Sequence, residues 1–210
     1  MRTITALYRY PVKGLSPEPL PSVALQAGQG FPRDRHWAIT NGRWTFDDTS
    51  YTPRPKTDFL VLMQHEKLAA LRTQVSADGR RLAIRTPDGQ VLDLALDDEA
   101  DLRRAGEFFS EYLRGHAEDR PAVVTSTRQR FTDVGVVSPA LMQSVSIVNL
   151  ASVRDLGARM GCKLDPLRFR ANVYLDGAQP WEELSWIDRE LRLGDIPARA
   201  VLRTRRCAAT

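Results

Sequence analysis

This chain is basic but almost without lysine. All but four of its 30 Lys and Arg residues are arginine, the exceptions being Lys13, Lys56, Lys67 and Lys163. A net charge of +4 and a pI near 9.3 raise the question of a polyanionic partner. The arginines are scattered, however, with no lysine-rich tail and no basic helix, so nucleic acid is not the expected partner. Arginine makes planar, bidentate contacts with phosphate and carboxylate, which suits a discrete anionic ligand equally well. Cysteine is scarce too. Cys162 and Cys207 are the whole complement, too few for a disulfide scaffold or for an iron–sulfur cluster that needs four thiolates. His36, His65 and His116 are far apart and lack metal-ligand spacing. No run approaches the ~18 apolar residues that span a bilayer. The N-terminus reads directly as a strand and lacks the apolar stretch of a signal peptide, so cytoplasm is the expected compartment and no membrane partner is expected. Gly28-Gln29-Gly30 lacks the further glycine and the strand–helix context of a dinucleotide fingerprint.

What remains is a chain of 210 residues, 42% hydrophobic, able to bury a real core. Thr3 to Tyr10 alternates as a strand that Pro11 stops, and Ser22 to Leu25 reads as a second. His36 to Thr40, the turn Asn41-Gly42, and Arg43 to Phe46 carry a hairpin signature. A meander follows in Arg72–Ser76, Arg81–Thr86 and Val91–Leu96, broken at Asp78-Gly79 and Asp88-Gly89. Then the period lengthens. Asp98 caps a helix with Leu102, Ala105, Phe109, Tyr112 and Leu113 on one side. Beyond it come strands at Ala122–Thr125, Val145–Asn149, Arg170–Leu175, Glu190–Leu193 and Ala198–Thr204. A short helix is expected to open on the capping-box-like Ser152-Val153-Arg154-Asp155 and end near Gly161. The expected class is β-dominated α+β, with a first module over 1–97, a connecting helix over 98–117 and a second module over 118–210.

Four places carry potential chemistry. Tyr10-Pro11-Val12-Lys13-Gly14 ends the first strand in a fixed turn that aims one ammonium. Arg33-Asp34-Arg35-His36 sets two guanidiniums ahead of Trp37, either as a surface ion pair or as an anion site. In a strand, Arg168, Arg170 and Asn172 point to one face and Phe169, Ala171 and Val173 to the other. Arg203, Arg205 and Arg206 crowd Cys207, and neighbouring positive charge favours the thiolate, which is both nucleophile and soft metal ligand. Cys207 is therefore a candidate reactive centre, and a small hydrophobe closing a strand is the plainer alternative. Cys162, just past a helix end, is expected to be a packed thiol.

Taken in order, Tyr-Pro-Val-Lys13, Asp34-Arg35-His-Trp37, Asn149-Leu-Ala-Ser152, Arg168-Phe-Arg170-Ala-Asn172, Pro180-Trp-Glu-Glu183 with Trp186, Leu193-Gly194-Asp195 and Arg206-Cys207 resemble the MOSC family. The family takes its name from the C-terminal domain of molybdenum cofactor sulfurase. The resemblance covers nearly the whole chain and includes the N-terminal β-barrel module that accompanies MOSC in many members. It implies a β-barrel-like module packed against a MOSC-type barrel with short helices, and a site for the molybdenum cofactor, a metal held by a phosphorylated pterin dithiolene. Cys207 matches the metal-ligating, catalytic cysteine. Lys13, Arg35, Arg170, Asn172 and Arg206 match positions that hold the pterin and its phosphate, and Asn149 and Ser152 fall near the cofactor-contacting strand-to-helix junction. Two departures matter. The family motif usually has serine after the lysine, where this chain has Gly14. Relatives also continue past the cysteine, so the second module is expected to be truncated at its C-terminal end.

The resemblance implies a molybdenum-dependent oxidoreductase that reduces N-hydroxylated compounds, with electrons from a separate flavin or iron–sulfur reductase. The alternative is a sulfur carrier or cofactor-handling protein with a persulfide on Cys207, working with a cysteine desulfurase; the pyridoxal phosphate would sit on that partner, not on this chain. Both depend on the expectation that cations from the two halves gather around the Cys207 sulfur.

Overall fold

The computed structural model describes residues 2–49, 52–113 and 120–204. In chain order its strands and helices are β1 (Thr3–Arg9), β2 (Glu18–Leu20), β3 (Trp37–Ile39), β4 (Arg72–Val75), β5 (Arg81–Arg85), β6 (Val91–Ala95), α1 (Glu99–Tyr112), β7 (Val123–Thr125), β8 (Ile147–Asn149), α2 (Leu150–Met160), β9 (Val173–Asp176), β10 (Glu190–Leu193) and β11 (Ile196–Arg199). With two α-helices among many short strands, the class is β-dominated α+β. The sheets are small and open: β2-β1-β9-β8, β4-β5-β6, β3-β7 and β10-β11, and none closes into a barrel among the described residues.

The chain forms two compact units that do not follow one cut in the sequence. One comprises residues 9–18 and 24–144. Its core gathers Val12, Leu15, Leu68, Leu71, Leu82, Ile84, Leu94 and Phe109, all essentially inaccessible to solvent. Burying each such side chain stabilises by ~1.5–3 kcal/mol. The meander β4-β5-β6 forms as its alternation dictates, with Leu82 opposite Val75 and Leu94 on one face. Asp98 caps α1 by accepting from the Asp101 amide, and Ala105, Gly106 and Phe109 form the buried stripe.

The expected hairpin after His36 does not form. β3 pairs instead with β7, Trp37 opposite Thr125 and Ile39 opposite Val123, while the Leu60 amide bonds the Ile39 carbonyl on its other side. Both edges of β3 are thus filled by distant segments. Trp44 and Phe46 go instead to an aromatic cluster with Phe59 and Phe131. The strand expected at Ser22–Leu25 is also displaced, to β2. There Glu18 accepts from the Val75 amide at 2.5 Å and from Arg9 Nε at 2.7 Å, and these bonds fix the backbone four residues earlier.

The other unit comprises residues 1–8, 19–23 and 145–210. β1 runs antiparallel to β9, and β9 runs parallel to β8, with Val148 opposite Tyr174. α2 is the crossover between the two parallel strands and packs on both. Leu175, Ala178 and Trp186 form its buried cluster. The strand expected from Arg170 is shorter. Residues Pro166–Phe169 form a 3-10 turn whose N-cap, Asp165, accepts from the Leu167 amide, and Arg170 is left-handed at φ 49°. The Asp-Pro start signal outweighs the alternation that follows it, so Arg168, Arg170 and Asn172 do not share a strand face. Cys162 is exposed, not packed. Among the described residues no helix is long and apolar enough to cross a membrane.

Candidate functional site

In the unit built from residues 9–18 and 24–144, Pro11 ends β1 and the next residues dock onto β3: the Lys13 amide donates to the Trp37 carbonyl at 2.8 Å. This anchoring buries the lysine side chain to 8% exposure. Its ammonium pairs with the Asp133 carboxylate, donates to the Phe131 carbonyl at 3.2 Å, and lies 5.5 Å from the Phe59 ring centroid. Gly14 follows at φ 81°, and a Cβ there would stand 2.5 Å from the Leu60 carbonyl oxygen. The serine of the family motif would meet that oxygen at this position.

Arg35 lies in the same unit, at φ 49°. A left-handed non-glycine residue costs ~1–2 kcal/mol, so its surroundings must hold it. They do so from several sides. The Arg35 amide donates to the Tyr10 carbonyl at 2.7 Å, and its own carbonyl accepts from the Phe131 amide at 2.9 Å. Its guanidinium pairs with Asp34 and lies 4.7 Å from the Tyr10 ring centroid. Asp34, 5% exposed, also accepts from the Tyr10 amide at 2.7 Å. The Lys13 and Arg35 segments are therefore cross-tied through Tyr10 and Phe131, and both cations act on Asp133. Burial pushes the Asp133 carboxyl up, but Lys13 chiefly, then Lys56 and Arg35, bring it to a net value below its ordinary 3.8. His36 is held below 6.5 by burial and by the charges of Arg130 and Arg33, so it is neutral at pH 7. The site is a fixed cluster in which cations outnumber carboxylates.

A pH test follows. The depressed Asp133 contributes stability that is complete above 3.8 and lost as pH falls through its lower folded value. Urea midpoints of wild type and Asp133→Asn should differ at neutral pH and converge between about pH 5 and pH 2. A constant gap across that range would show that the pair contributes nothing through charge.

In the other unit, Asn149 is fully buried and is the N-cap of α2; the capping-box reading that began the helix at Ser152 is three residues late. Asn149 Oδ1 accepts from the Ala151 amide at 3.1 Å, while Nδ2 donates to the Gln179 carbonyl at 2.8 Å and to Glu183 Oε2 at 2.9 Å. Ser152 Oγ donates to the same Glu183 oxygen at 2.9 Å and accepts from the Trp181 amide at 2.7 Å. Both Asn149 amide hydrogens and the single Ser152 hydroxyl hydrogen are thus engaged inside the fold. These residues set the helix start and the left-handed Trp181, at φ 68°. The sequence does not give Glu183 this role, although its place one residue after an acidic neighbour in Pro180-Trp-Glu-Glu183 draws attention to it.

Asn172 is 2% exposed. Its Oδ1 accepts from Ser146 Oγ at 2.8 Å and from the Ser146 amide at 3.1 Å, and Nδ2 donates to the Tyr8 carbonyl at 3.2 Å. It locks the entry to β9. Arg170, immediately before, is left-handed at the C-cap of the 3-10 turn. Arg206 and Cys207 lie outside the described residues. Among the described residues no group of three or more His, Cys, Asp or Glu side chains could hold a metal ion.

Comparison with known proteins accounts for the whole chain. Residues 1–125 match the family described as the MOSC N-terminal beta barrel domain, and residues 121–210 match the MOSC domain. Over 230 residues the chain is 24% identical to the mitochondrial amidoxime reducing component 2 of Bos taurus, covering 99% of this chain and 66% of that protein. It is also 24% identical, over 227 residues, to the mitochondrial amidoxime-reducing component 1 of Homo sapiens, covering 99% of this chain and 65% of the relative. A molybdenum cofactor sulfurase of Drosophila grimshawi is 25% identical over 205 residues, or 89% of this chain and 25% of that protein. The chain thus spans under two thirds of the length of each of these relatives.

Proposed function

This chain belongs to the MOSC domain family, with the family's N-terminal beta barrel domain ahead of the MOSC domain, and we propose that it binds the molybdenum cofactor and reduces N-hydroxylated compounds. The observation that carries the reading is the Lys13–Arg35 cluster: two cations, each paired with a carboxylate (Asp133 and Asp34), with Arg130 a third cation beside them and Arg35 on left-handed backbone. A phosphorylated pterin needs such charge-assisted donors, each worth ~1.5–3 kcal/mol when desolvated. Lys13 and Arg35 would bind that phosphate; Arg170 and Arg206 are assigned to the pterin and its phosphate through the family resemblance alone. Asn172, Asn149 and Ser152 would act by fixing backbone, since their polar atoms serve the fold. Cys207 is the assigned metal ligand.

When bound, the group supplies a redox-active metal able to deliver two electrons to an N–O bond. The reaction as a whole adds two electrons and two protons to the N–OH group and releases water. We assign the electrons to a separate flavin or iron–sulfur reductase, as the family resemblance implies. The relatives named as amidoxime-reducing components support this choice of substrate class.

The purified full chain should carry about one molybdenum per protein, and Cys207→Ala should lose both the metal and benzamidoxime reduction with a reductase present. Full metal loading in Cys207→Ala would remove that residue from the site. A wild-type protein without molybdenum that gains one sulfur atom at Cys207 on incubation with a cysteine desulfurase would favour the carrier role instead.

A further inference from the structure

Arg130 lies outside every motif of the sequence analysis, yet it reaches back about a hundred residues to the loop that carries Arg35. Its Nη1 donates to the Phe31 carbonyl and, at 2.9 Å, to the Asp34 carbonyl. Those two carbonyls bracket a tight turn, since the Asp34 amide bonds the Phe31 carbonyl at 3.1 Å. Within and after this turn stand two left-handed arginines, Arg33 at φ 60° and Arg35 at φ 49°. Arg33 is tied outward, to the Ser76 carbonyl at 3.2 Å and to the Ala77 carbonyl. The residue after Arg130 completes the grip, as the Phe131 amide donates to the Arg35 carbonyl at 2.9 Å and the Phe131 carbonyl accepts from Lys13. One dipeptide, Arg130-Phe131, therefore holds both the Arg35 backbone and the Lys13 ammonium.

We propose that Arg130 is a positioning residue for the candidate anion site: by clamping the Phe31 and Asp34 carbonyls it keeps Arg35 in its left-handed conformation and aims that guanidinium at the ligand's phosphate. The proposal rests on the reading that Arg35 binds the cofactor. Two arguments separate this role from general packing. Strained backbone persists only where neighbours over-determine it, and here the neighbours converge on one short loop. The half-buried guanidinium also reaches two carbonyls from one nitrogen, giving the Asp34 carbonyl a donor and the Phe31 carbonyl a second one beside the Asp34 amide.

The test uses the full chain loaded with molybdenum cofactor and follows molybdenum and pterin retained during dialysis, beside the thermal midpoint. Arg35→Met and Arg130→Met should each speed cofactor loss roughly 10- to 100-fold, the effect of removing one charge-assisted donor. The double variant should lose cofactor no faster than Arg35→Met alone, because both changes remove the same contact. Arg130→Lys, which keeps a donor for the carbonyls and guards against a misfolded methionine variant, should recover part of the retention. Losses that multiply in the double variant would assign Arg130 an independent role and overturn the proposal. So would full retention in Arg130→Met while Arg35→Met loses cofactor, and there the reading of Arg35 survives. Full retention in Arg35→Met would sink both.

Discussion

Replacing Gly14 with serine, the residue the family motif carries after its lysine, is expected to destabilise this chain by about 2–5 kcal/mol. Two independent effects add. Gly14 sits at φ 81°, where a side chain costs ~1–2 kcal/mol. Its Cβ would also stand 2.5 Å from the Leu60 carbonyl oxygen and 3.3 Å from the Val61 Cα, both backbone, so no side chain can rotate away. Overpacking of this kind costs ~1–3 kcal/mol. For a chain of this size the thermal midpoint should fall roughly 4–20 °C. Gly14→Ala should fall as far, because the hydroxyl is not the cause. Gly89→Ala supplies the reference: its φ is 91°, but nothing lies within 4 Å of the added carbon, so only the conformational part should appear. If Gly14→Ser proves no worse than Gly89→Ala, the close approach to Leu60 is not a constraint. The strain would be felt at the neighbouring ammonium too, since Lys13 is held by the same turn.

How far the sequence foretells such features depends on the range of the interactions involved. The meander β4-β5-β6 and the Asp98-capped helix α1 are legible because alternation, turn residues and a cap all act within a few positions. The missing hairpin after Asn41 shows the opposite case. Local turn chemistry is present, but β7 and the Phe59–Leu60 segment compete for the edges of β3 and win. The site divides the same way. Lys13 and Arg35 stand out as charged residues beside a proline and within an Arg-Asp-Arg cluster, whereas the partners that fix them, Asp133 and Arg130, are remote in sequence and occupy no recognisable pattern. Arg170 illustrates a conflict between signals: period-two alternation predicts a strand, while Asp165-Pro166 starts a 3-10 turn that leaves Arg170 left-handed. Asn149 and Ser152 are expected as cofactor contacts only because the family resemblance places its cofactor-contacting strand-to-helix junction near them. Which way their donors point depends on Glu183, more than thirty residues on.

That dependence makes Asn149 the second site of large expected effect. Asn149→Ala removes the N-cap acceptor of α2, a loss of ~0.5–2 kcal/mol. It also strips one of the two donors from Glu183 Oε2, and a hydrogen bond to a charged group contributes ~1.5–3 kcal/mol. Because the two losses share one residue, they need not add in full; about 2–4 kcal/mol is expected, read as a lower urea midpoint at unchanged slope. Asn149→Asp sharpens the test. Aspartate preserves the cap acceptor, so a cap-only account predicts little change. The amide that donated to Glu183 at 2.9 Å would become a second carboxylate oxygen facing the first. Like charges at that separation oppose one another strongly, so Asn149→Asp should be less stable than Asn149→Ala at neutral pH. Adding Glu183→Gln should recover much of the loss, because a glutamine can donate to the new aspartate. If Asn149 instead contacts the cofactor directly, Asn149→Ala will lower molybdenum content while leaving the urea midpoint of the metal-free protein where it was. The two roles thus separate in a single pair of measurements.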